Sequence, residues 1–185
     1  MAWCFAIGSL CFLIGPLDVY AGLVGATADA VTFFAGSIFF TAGGALQVRH
    51  AVTRADRWAA WIQSAGTLFF NVSTFRALQV VVADPDYDRL VWRPDMFGSI
   101  CFLVSGVIAY RAAGRRGWQP AVNLLGCVFF GISALAAYVL PSAAGAEVSA
   151  TAANVNTSLG AACFLACAVP GLSSGRSDAR ARAPR

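Results

Sequence analysis

Charged residues are scarce in this chain, and two residue types common in ordinary proteins are missing or nearly so. Only 12% of its 185 residues are charged, none is lysine, and the single histidine is His50. Soluble domains carry about 25% charged residues, so this is not an ordinary soluble domain. Catalysis by a serine or cysteine activated by histidine has only His50 to draw on. The 58% of hydrophobic residues instead indicates an integral membrane protein.

Six long apolar stretches separate the charged residues. A transmembrane helix needs about 20 mostly apolar residues to cross a hydrocarbon core of roughly 30 Å. The stretches are continuous, whereas a membrane β-barrel would show short segments of alternating polarity. The sequence therefore predicts an all-α fold, an integral membrane bundle of six transmembrane helices. The predicted spans are 2–20, 29–47, 58–78, 94–110, 119–140 and 151–172.

A five-residue motif occurs once in each predicted span. It consists of Gly, a small residue, any residue, Cys or Phe, and then Phe. The glycines of the first, third and fifth copies are 58 and 60 residues apart, and those of the other three are 62 apart. A two-helix unit present three times gives this spacing. We predict hairpin repeats at about 1–47, 58–110 and 119–172, which together form one transmembrane domain over 1–172.

The motif predicts a helix-packing face. With its glycine as position 0, a helix places positions 0, +4 and +7 on one side, and position +7 is small in every copy. Small residues let helix backbones approach closely in lipid, where no hydrophobic force drives helices together. We expect the hydroxyls at +1 (Ser9, Ser37, Thr67, Ser99) to bond their own backbone one turn earlier. The predicted packing residues are Gly8, Gly36, Gly66, Gly98, Gly126, Gly160, Phe12, Phe40, Phe70, Phe102, Phe130 and Phe164.

The charges divide by loop and predict an orientation. Loops two and four and the C-terminal tail hold ten arginines and two aspartates, whereas the remaining loops hold seven acidic residues and three arginines. By the positive-inside rule, the arginine-rich side is cytoplasmic, and both termini face the cytoplasm. The expected location is the bacterial cytoplasmic membrane. Residues 173–185 are expected to form a disordered, Arg-rich cytoplasmic tail attracted to anionic headgroups.

Polar residues at membrane depth are candidates for a site because they are rare there. The candidates are Gln63, Asn71, Arg76, Asp95, Asn123 and Asn156. Position −3 is polar in the last four copies (Gln63, Asp95, Asn123, Thr157) and Phe in the first two (Phe5, Phe33). Because neighbouring helices run in opposite directions, we expect Gln63 and Asn123 near one membrane face and Asp95 and Thr157 near the other. Asp95 suits a helix N-terminus after Pro94, and a pairing of Arg76 with Asp95 is a further hypothesis.

The sequence offers no catalytic, metal-binding or cofactor-binding motif. It has no phosphate loop, zinc-protease helix, nucleophile elbow or dinucleotide fingerprint, so we expect no enzyme activity and no cofactor. All six cysteines lie within predicted spans, where free Cys behaves as a small buried hydrophobe. Cys163 and Cys167 share a helix face, but no His or carboxylate stands near them in sequence.

The repeated phrase also carries a resemblance. Residues 33–40, with Gly36 and Ser37 between paired phenylalanines, together with the neighbouring copies, resemble the YrhK-like family of small bacterial membrane proteins. Each match covers two helices at a time, and the chain differs from the family in having six spans rather than one hairpin. The resemblance implies a membrane protein of unknown function and transfers no site residues.

Three functions remain open from the sequence. The first is a non-enzymatic membrane protein that associates with lipid, with another membrane protein or with a second copy of itself, and it predicts a uniformly packed bundle without a continuous polar lumen. The second is a small carrier or channel for an ion or polar solute, which predicts that Gln63, Asn71, Asn123 and Asn156 converge on a water-accessible cavity near the midplane. An enzyme ranks third. The net charge of +4 follows from the topology, so no nucleic-acid partner is needed to explain it.

Overall fold

Helices form every regular element in the part of the chain that the computed structural model describes. That part comprises residues 1–82, 84–114, 117–140 and 147–181, with side chains described as far as 172. A single isolated bridge joins Val139 to Glu147 there. The helices are α1 (Ala2–Ile14), α2 (Asp18–Val24), α3 (Ala26–His50), α4 (Arg54–Ala77), α5 (Arg93–Ala113), α6 (Gln119–Ala136) and α7 (Ala150–Ala181), and a π-helical turn at Asp88–Trp92 leads into α5.

The six long helices pack as a closed ring. Each helix contacts the next in the order α1, α3, α4, α5, α6, α7, and α7 contacts α1 again. The short helix α2 packs against α3, and the π-helical turn packs against α4 and α5. Each helix packs against the long helix that follows it in sequence, and the contact of α7 with α1 closes the ring.

The first predicted span, 2–20, is wrong as one continuous helix. α1 ends at Ile14, and α2 begins at Asp18 after a bend of 92°. Pro16 lies between them. A proline has no N–H to donate, and its ring collides with the carbonyl four residues earlier in a continuing helix. The chain therefore turns here.

The predicted span 119–140 is too long at its C-terminal end. α6 ends at Ala136, and the next residues pair with the segment before α7. Ser149 N–H donates to the Ala136 carbonyl at 2.9 Å, and Val148 N–H donates to the Tyr138 carbonyl at 2.9 Å. These bonds satisfy carbonyls that the helix end would leave free.

Several helices are suited to a membrane. α3, α5 with its π-helical turn, α6 and α7 are long and apolar enough to cross one, and the bent pair α1–α2 adds a fifth if it forms one span. α4 is long but less apolar, because it carries Gln63, Asn71 and several hydroxyl residues.

Thr53 precedes α4 and forms a capping box with Asp56. The Thr53 side chain accepts a hydrogen bond from Asp56 N–H, and the Asp56 side chain accepts one from Thr53 N–H.

The helical backbone of α7 continues to Ala181. Side chains from 173 onward and residues 182–185 lie outside the described part of the chain, so the Arg-rich cytoplasmic tail over 173–185 stays a prediction. Arg115 and Arg116, which count toward the predicted orientation, also lie outside it.

Candidate functional site

Reciprocal glycine–phenylalanine contacts join the helices in three pairs: α1 with α3, α4 with α5, and α6 with α7. A Cβ built on Gly66 would lie 2.8 Å from the Phe102 ring, and one built on Gly98 would lie 3.0 Å from the Phe70 ring. Gly8 and Gly36 face Phe40 and Phe12 in the same way, and Gly126 and Gly160 face Phe164 and Phe130. Each motif glycine therefore makes room for the +4 ring of the partner helix.

The six +4 phenylalanines form one aromatic cluster at the centre of the ring of helices. We call Phe12, Phe40, Phe70, Phe102, Phe130 and Phe164 the aromatic plug; each ring is at most 5% exposed. Phe40, Phe102 and Phe164 all contact one another, with ring centroids 5.7–6.4 Å apart. Phe130 touches both Phe12 and Phe70 at 5.9 Å. Since α3, α5 and α7 run opposite to the other three helices, their rings form one layer and those of the others form a second.

The residues at +1 are also buried in every copy, with at most 3% of their surface exposed. Ser37 and Thr67 donate to the carbonyls of Phe34 and Ser64, as expected. Ser99 instead donates across to the Phe130 carbonyl at 3.3 Å. The Ser9 hydroxyl has no hydrogen-bond partner. The position thus requires a small side chain, which explains why Cys127 and Ala161 can replace a hydroxyl.

Sequence reasoning missed a hydrogen bond between paired helices at position +7. In four copies the +7 side chain donates to the carbonyl seven residues before the partner glycine. The pairs are Ser73 with Val91 at 2.9 Å, Ser105 with Ala59 at 2.9 Å, Ser133 with Ala153 at 2.9 Å and Cys167 with Gln119 at 3.4 Å. The recurring small polar residue at +7 was the available signal, but its acceptor is a backbone atom, which carries no sequence signature.

The first helix pair uses the same positions differently. Its +7 residues are Gly15 and Gly43, and the −3 ring of the partner helix packs on each. A Cβ on Gly15 would lie 2.7 Å from Phe33, and one on Gly43 would lie 3.0 Å from Phe5. A phenylalanine on a glycine therefore occupies the place that polar groups hold in the other two pairs.

A cavity of about 290 Å³ opens at the end of the bundle where α3, α5 and α7 begin. We call it the acidic cavity, because Asp29, Asp95 and Glu147 line it and no basic residue does. Its wall also includes the −3 residues Phe33 and Thr157. Asp29 and Asp95 lie in the first turns of α3 and α5, as expected for acids near a helix N-terminus.

Burial shifts the titration of two groups at the mouth of the acidic cavity. It raises the pKa of the Glu147 carboxyl above its ordinary value, because the charged form loses water. Burial also raises the pKa of the Tyr87 hydroxyl, and the nearby charges of Glu147 and Asp95 raise it further. Both groups therefore release their protons at a higher pH than they would in water. Glu147 was not among the residues proposed from the sequence, because it lies in a loop that only the fold brings to the cavity.

A second cavity, of about 390 Å³, opens at the opposite end of the bundle. We call it the amide cavity, because its polar lining includes the carboxamides of Gln47, Gln63, Gln119 and Asn123. The −3 residue Phe5 lines it as well. Asp29 and Gln47 are 18 residues apart on α3, which places them about 27 Å apart along the helix axis.

The two cavities are separated by the aromatic plug. Phe12 and Phe130 line the acidic cavity, while Phe40 and Phe164 line the amide cavity. The rings of Phe12 and Phe40 lie 5.5 Å apart, and those of Phe130 and Phe164 lie 5.4 Å apart. Rings at these distances are in contact. The acidic and amide cavities therefore lie on opposite sides of packed rings.

The predicted polar residues fall into different surroundings. Gln63 and Asn123 meet at the amide cavity, and Asp95 lies across the plug from them. Asn71 donates to the Thr41 hydroxyl at 2.9 Å, and Asn156 donates to the Ala152 carbonyl at 2.8 Å. Asn71 therefore joins α4 to α3, whereas Asn156 bonds within α7, and neither residue lines the acidic or the amide cavity.

The predicted pairing of Arg76 with Asp95 is wrong in this structure. Arg76 donates to the Gln79 side chain at 3.3 Å. Among the described residues, the ion pairs are Arg89 with Asp86 at 3.4 Å and Arg93 with Asp88 at 2.8 Å. Arg76 lies in the last turn of α4, where its charge suits the helix C-terminus and reaches solvent. Asp95 is left facing the acidic cavity without a basic partner.

The fold and the cavities define an all-helical protein whose apolar helices are compatible with a membrane. Comparison with protein-family models, with curated proteins and with solved structures found no match. The described residues contain no group of three or more His, Cys, Asp or Glu side chains placed to hold a metal ion. The chemistry available is therefore that of two polar cavities and the rings between them.

Proposed function

We propose that this chain is a multi-pass protein of the bacterial cytoplasmic membrane that carries a small polar solute. In this proposal the six long helices are six spans made of three repeated hairpins, and both termini face the cytoplasm. The amide cavity then opens to the cytoplasm, because the adjoining loops carry arginines such as Arg49, Arg54 and Arg111. The acidic cavity opens to the other side. Kinship with the YrhK-like family remains part of this proposal, supported by the motif alone.

One observation carries the proposal: two polar cavities at opposite ends of one bundle, with a single cluster of rings between them. Carriers built from repeats expose a site between the repeated units alternately to each side. In this chain the aromatic plug would have to open for a solute to pass from one cavity to the other. A protein acting only by association would need neither cavity. Gln63 and Asn123 lining one chamber also favours the carrier over a uniformly packed bundle.

Cysteine accessibility tests the two-cavity arrangement. In a variant lacking the six native cysteines, single cysteines replace Asn154 in the acidic cavity and Asn123 in the amide cavity. A membrane-impermeant methanethiosulfonate reagent is then added to either side of reconstituted vesicles of known orientation. We expect Asn154→Cys to react only from the outside and Asn123→Cys only from the inside. Leu68→Cys is the control, since Leu68 is 57% exposed on the bundle surface, where we expect lipid.

One outcome would contradict the carrier, and another would contradict the proposed orientation. If neither cavity cysteine reacts from either side while a loop control at Val52 does, the cavities are closed to water and association becomes the better explanation. If the termini, tagged separately, label from the outside, the proposed orientation is reversed.

A further inference from the structure

Apart from the Tyr87 hydroxyl and the Asn154 carboxamide, the side-chain polar groups that line the acidic cavity offer acceptors. The Ser73 hydroxyl donates to the Val91 carbonyl, and Thr74 donates to the Phe70 carbonyl. Ser133 and Thr157 share the Ala153 carbonyl and lie 2.6 Å from each other, so both of their protons are used within this group. These hydroxyls can offer lone pairs to a ligand but no proton.

The carboxylates of the same cavity also lack donors. Asp95 and Glu147 make no hydrogen bond or ion pair among the described residues, and one oxygen of Asp29 is buried without a partner. Asp95 is surrounded by protein, and the surface it retains borders the cavity. The unpaired oxygens of Asp95 and Glu147 border the cavity, where a cationic donor would satisfy them together with the buried Asp29 oxygen.

Aromatic side chains also line the acidic cavity. Phe12, Phe33, Tyr87 and Trp92 line the cavity, and the indole N–H of Trp92 is occupied by the Ala134 carbonyl at 2.8 Å. Ring faces attract cations through their quadrupole. The cavity of about 290 Å³ is larger than a bare ion requires, and the carboxylates are not grouped closely enough for a metal ion.

From these observations we infer that the acidic cavity binds a small protonated amine, with Asp95 as its principal counter-charge. This inference rests on the proposed carrier function and names the class of its solute. We choose Asp95 over Asp29 because Asp95 lies at position −3 of its motif copy, whereas Asp29 lies at position −7. Asp95 is therefore one helical turn closer to the aromatic plug. The ammonium group would donate to Asp95 and to the lone pairs of Ser73 and Thr157, and its alkyl part would contact the rings.

Binding of n-butylammonium to the protein in nanodiscs tests the inference. Isothermal titration in phosphate buffer avoids amine buffers, and n-butanol serves as a neutral ligand of the same chain length. We expect saturable binding of n-butylammonium and none of n-butanol. Saturable binding of n-butanol with equal affinity would overturn the inference, as would competition by Na⁺ or Ca²⁺ at concentrations equal to that of the amine.

Two variants assign the site. Asp95→Asn keeps the shape of the side chain and should weaken n-butylammonium binding at least tenfold. Asp18→Asn removes the same charge from an exposed position outside the cavity and should change affinity less than twofold. If Asp95→Asn does not fold, Glu147→Gln gives the same test with a smaller expected loss. Unchanged affinity in the cavity variants would overturn the assignment.

The outcome also separates the two proposals. If the cysteines label as expected but no amine binds, the solute class is wrong and the carrier stands. If amines bind to Asp95 but both cysteines react from the same side, or only one of them reacts at all, the site stands and the carrier fails.

Discussion

The acidic and amide cavities are lined by equivalent positions of one motif, yet among the described residues only the first has charged side chains in its lining. Position −3 of α3, α5 and α7 supplies Phe33, Asp95 and Thr157 to the first cavity. Position −3 of α1, α4 and α6 supplies Phe5, Gln63 and Asn123 to the second. The glycines and the +4 rings are the same at both ends. The packing of the bundle and the chemistry of its cavities are therefore carried by different positions of the same helices.

The helix pairs differ in a related way. In the first helix pair, position −3 is phenylalanine and position +7 is glycine, and each phenylalanine packs on the glycine of the partner helix. The other two helix pairs have polar residues at both positions. Each cavity is consequently lined at position −3 by one phenylalanine and by two polar residues. A solute with both an apolar and a polar part suits such a wall better than a bare ion does.

The largest expected effect comes from removing a central ring of the aromatic plug, which separates the two cavities. Phe102→Ala deletes a side chain that is 1% exposed and contacts four other rings of the plug. Loss of a buried Phe costs about 3 kcal/mol or more in unfolding free energy. Phe39→Ala, at a ring that is 37% exposed, is the control and should cost much less. Equilibrium unfolding in mixed micelles measures both, and equal losses would argue against a central plug.

A methyl group at a motif glycine should have the next largest effect. Gly66→Ala would place Cβ 2.9 Å from Cys101 and 3.0 Å from the Gly98 carbonyl. Overpacking of this kind costs about 1–3 kcal/mol. Gly22→Ala in α2 meets no atom within 4 Å and should be neutral or slightly stabilising. The same unfolding assay compares them, and a stable Gly66→Ala variant would show that α4 and α5 need no close approach.

Loss of a +7 hydroxyl tests whether the two ends are equivalent. Ser133→Ala at the acidic cavity and Ser105→Ala toward the other end each remove one donor to a partner-helix carbonyl. Interhelical hydrogen bonds in membranes contribute about 0.6 kcal/mol on average, up to about 1.7. We expect similar losses of that size from both. A loss confined to one end would mean that the repeated bond is not structurally equivalent.

The smallest effect should depend on pH and appear at the acidic cavity alone. Because the folded-state pKa of Glu147 is raised, the folded protein binds more protons than the unfolded protein above pH of about 4, and its stability falls as pH rises through the raised pKa. Glu147→Gln removes that fall, so the variant should gain melting temperature over the parent as pH rises. Scans without amines in phosphate buffer measure the difference, and a pH-independent difference would contradict the shift.

Part of the site followed from the sequence because it depends on helical periodicity. Spacing in the chain predicted that motif glycines and +4 rings share a face, and that Gln63 and Asn123 lie away from Asp95 and Thr157. Periodicity could not show that Arg76 turns to Gln79, that Pro16 divides the first span, or that Glu147 reaches the cavity. Those outcomes depend on loops and on a proline whose local effect overrides an apolar run.

The sequence by itself determined an all-helical, apolar chain with one repeated packing motif, because composition and a 3.6-residue period are local properties. Only the tertiary structure decided that the helices close into a ring, that six rings meet at its centre, and that a cavity lies on each side of them. Those features depend on which helix faces meet and which carbonyls accept the +7 side chains. Neither is encoded at any single position, because both are set by the packing of residues far apart in the chain.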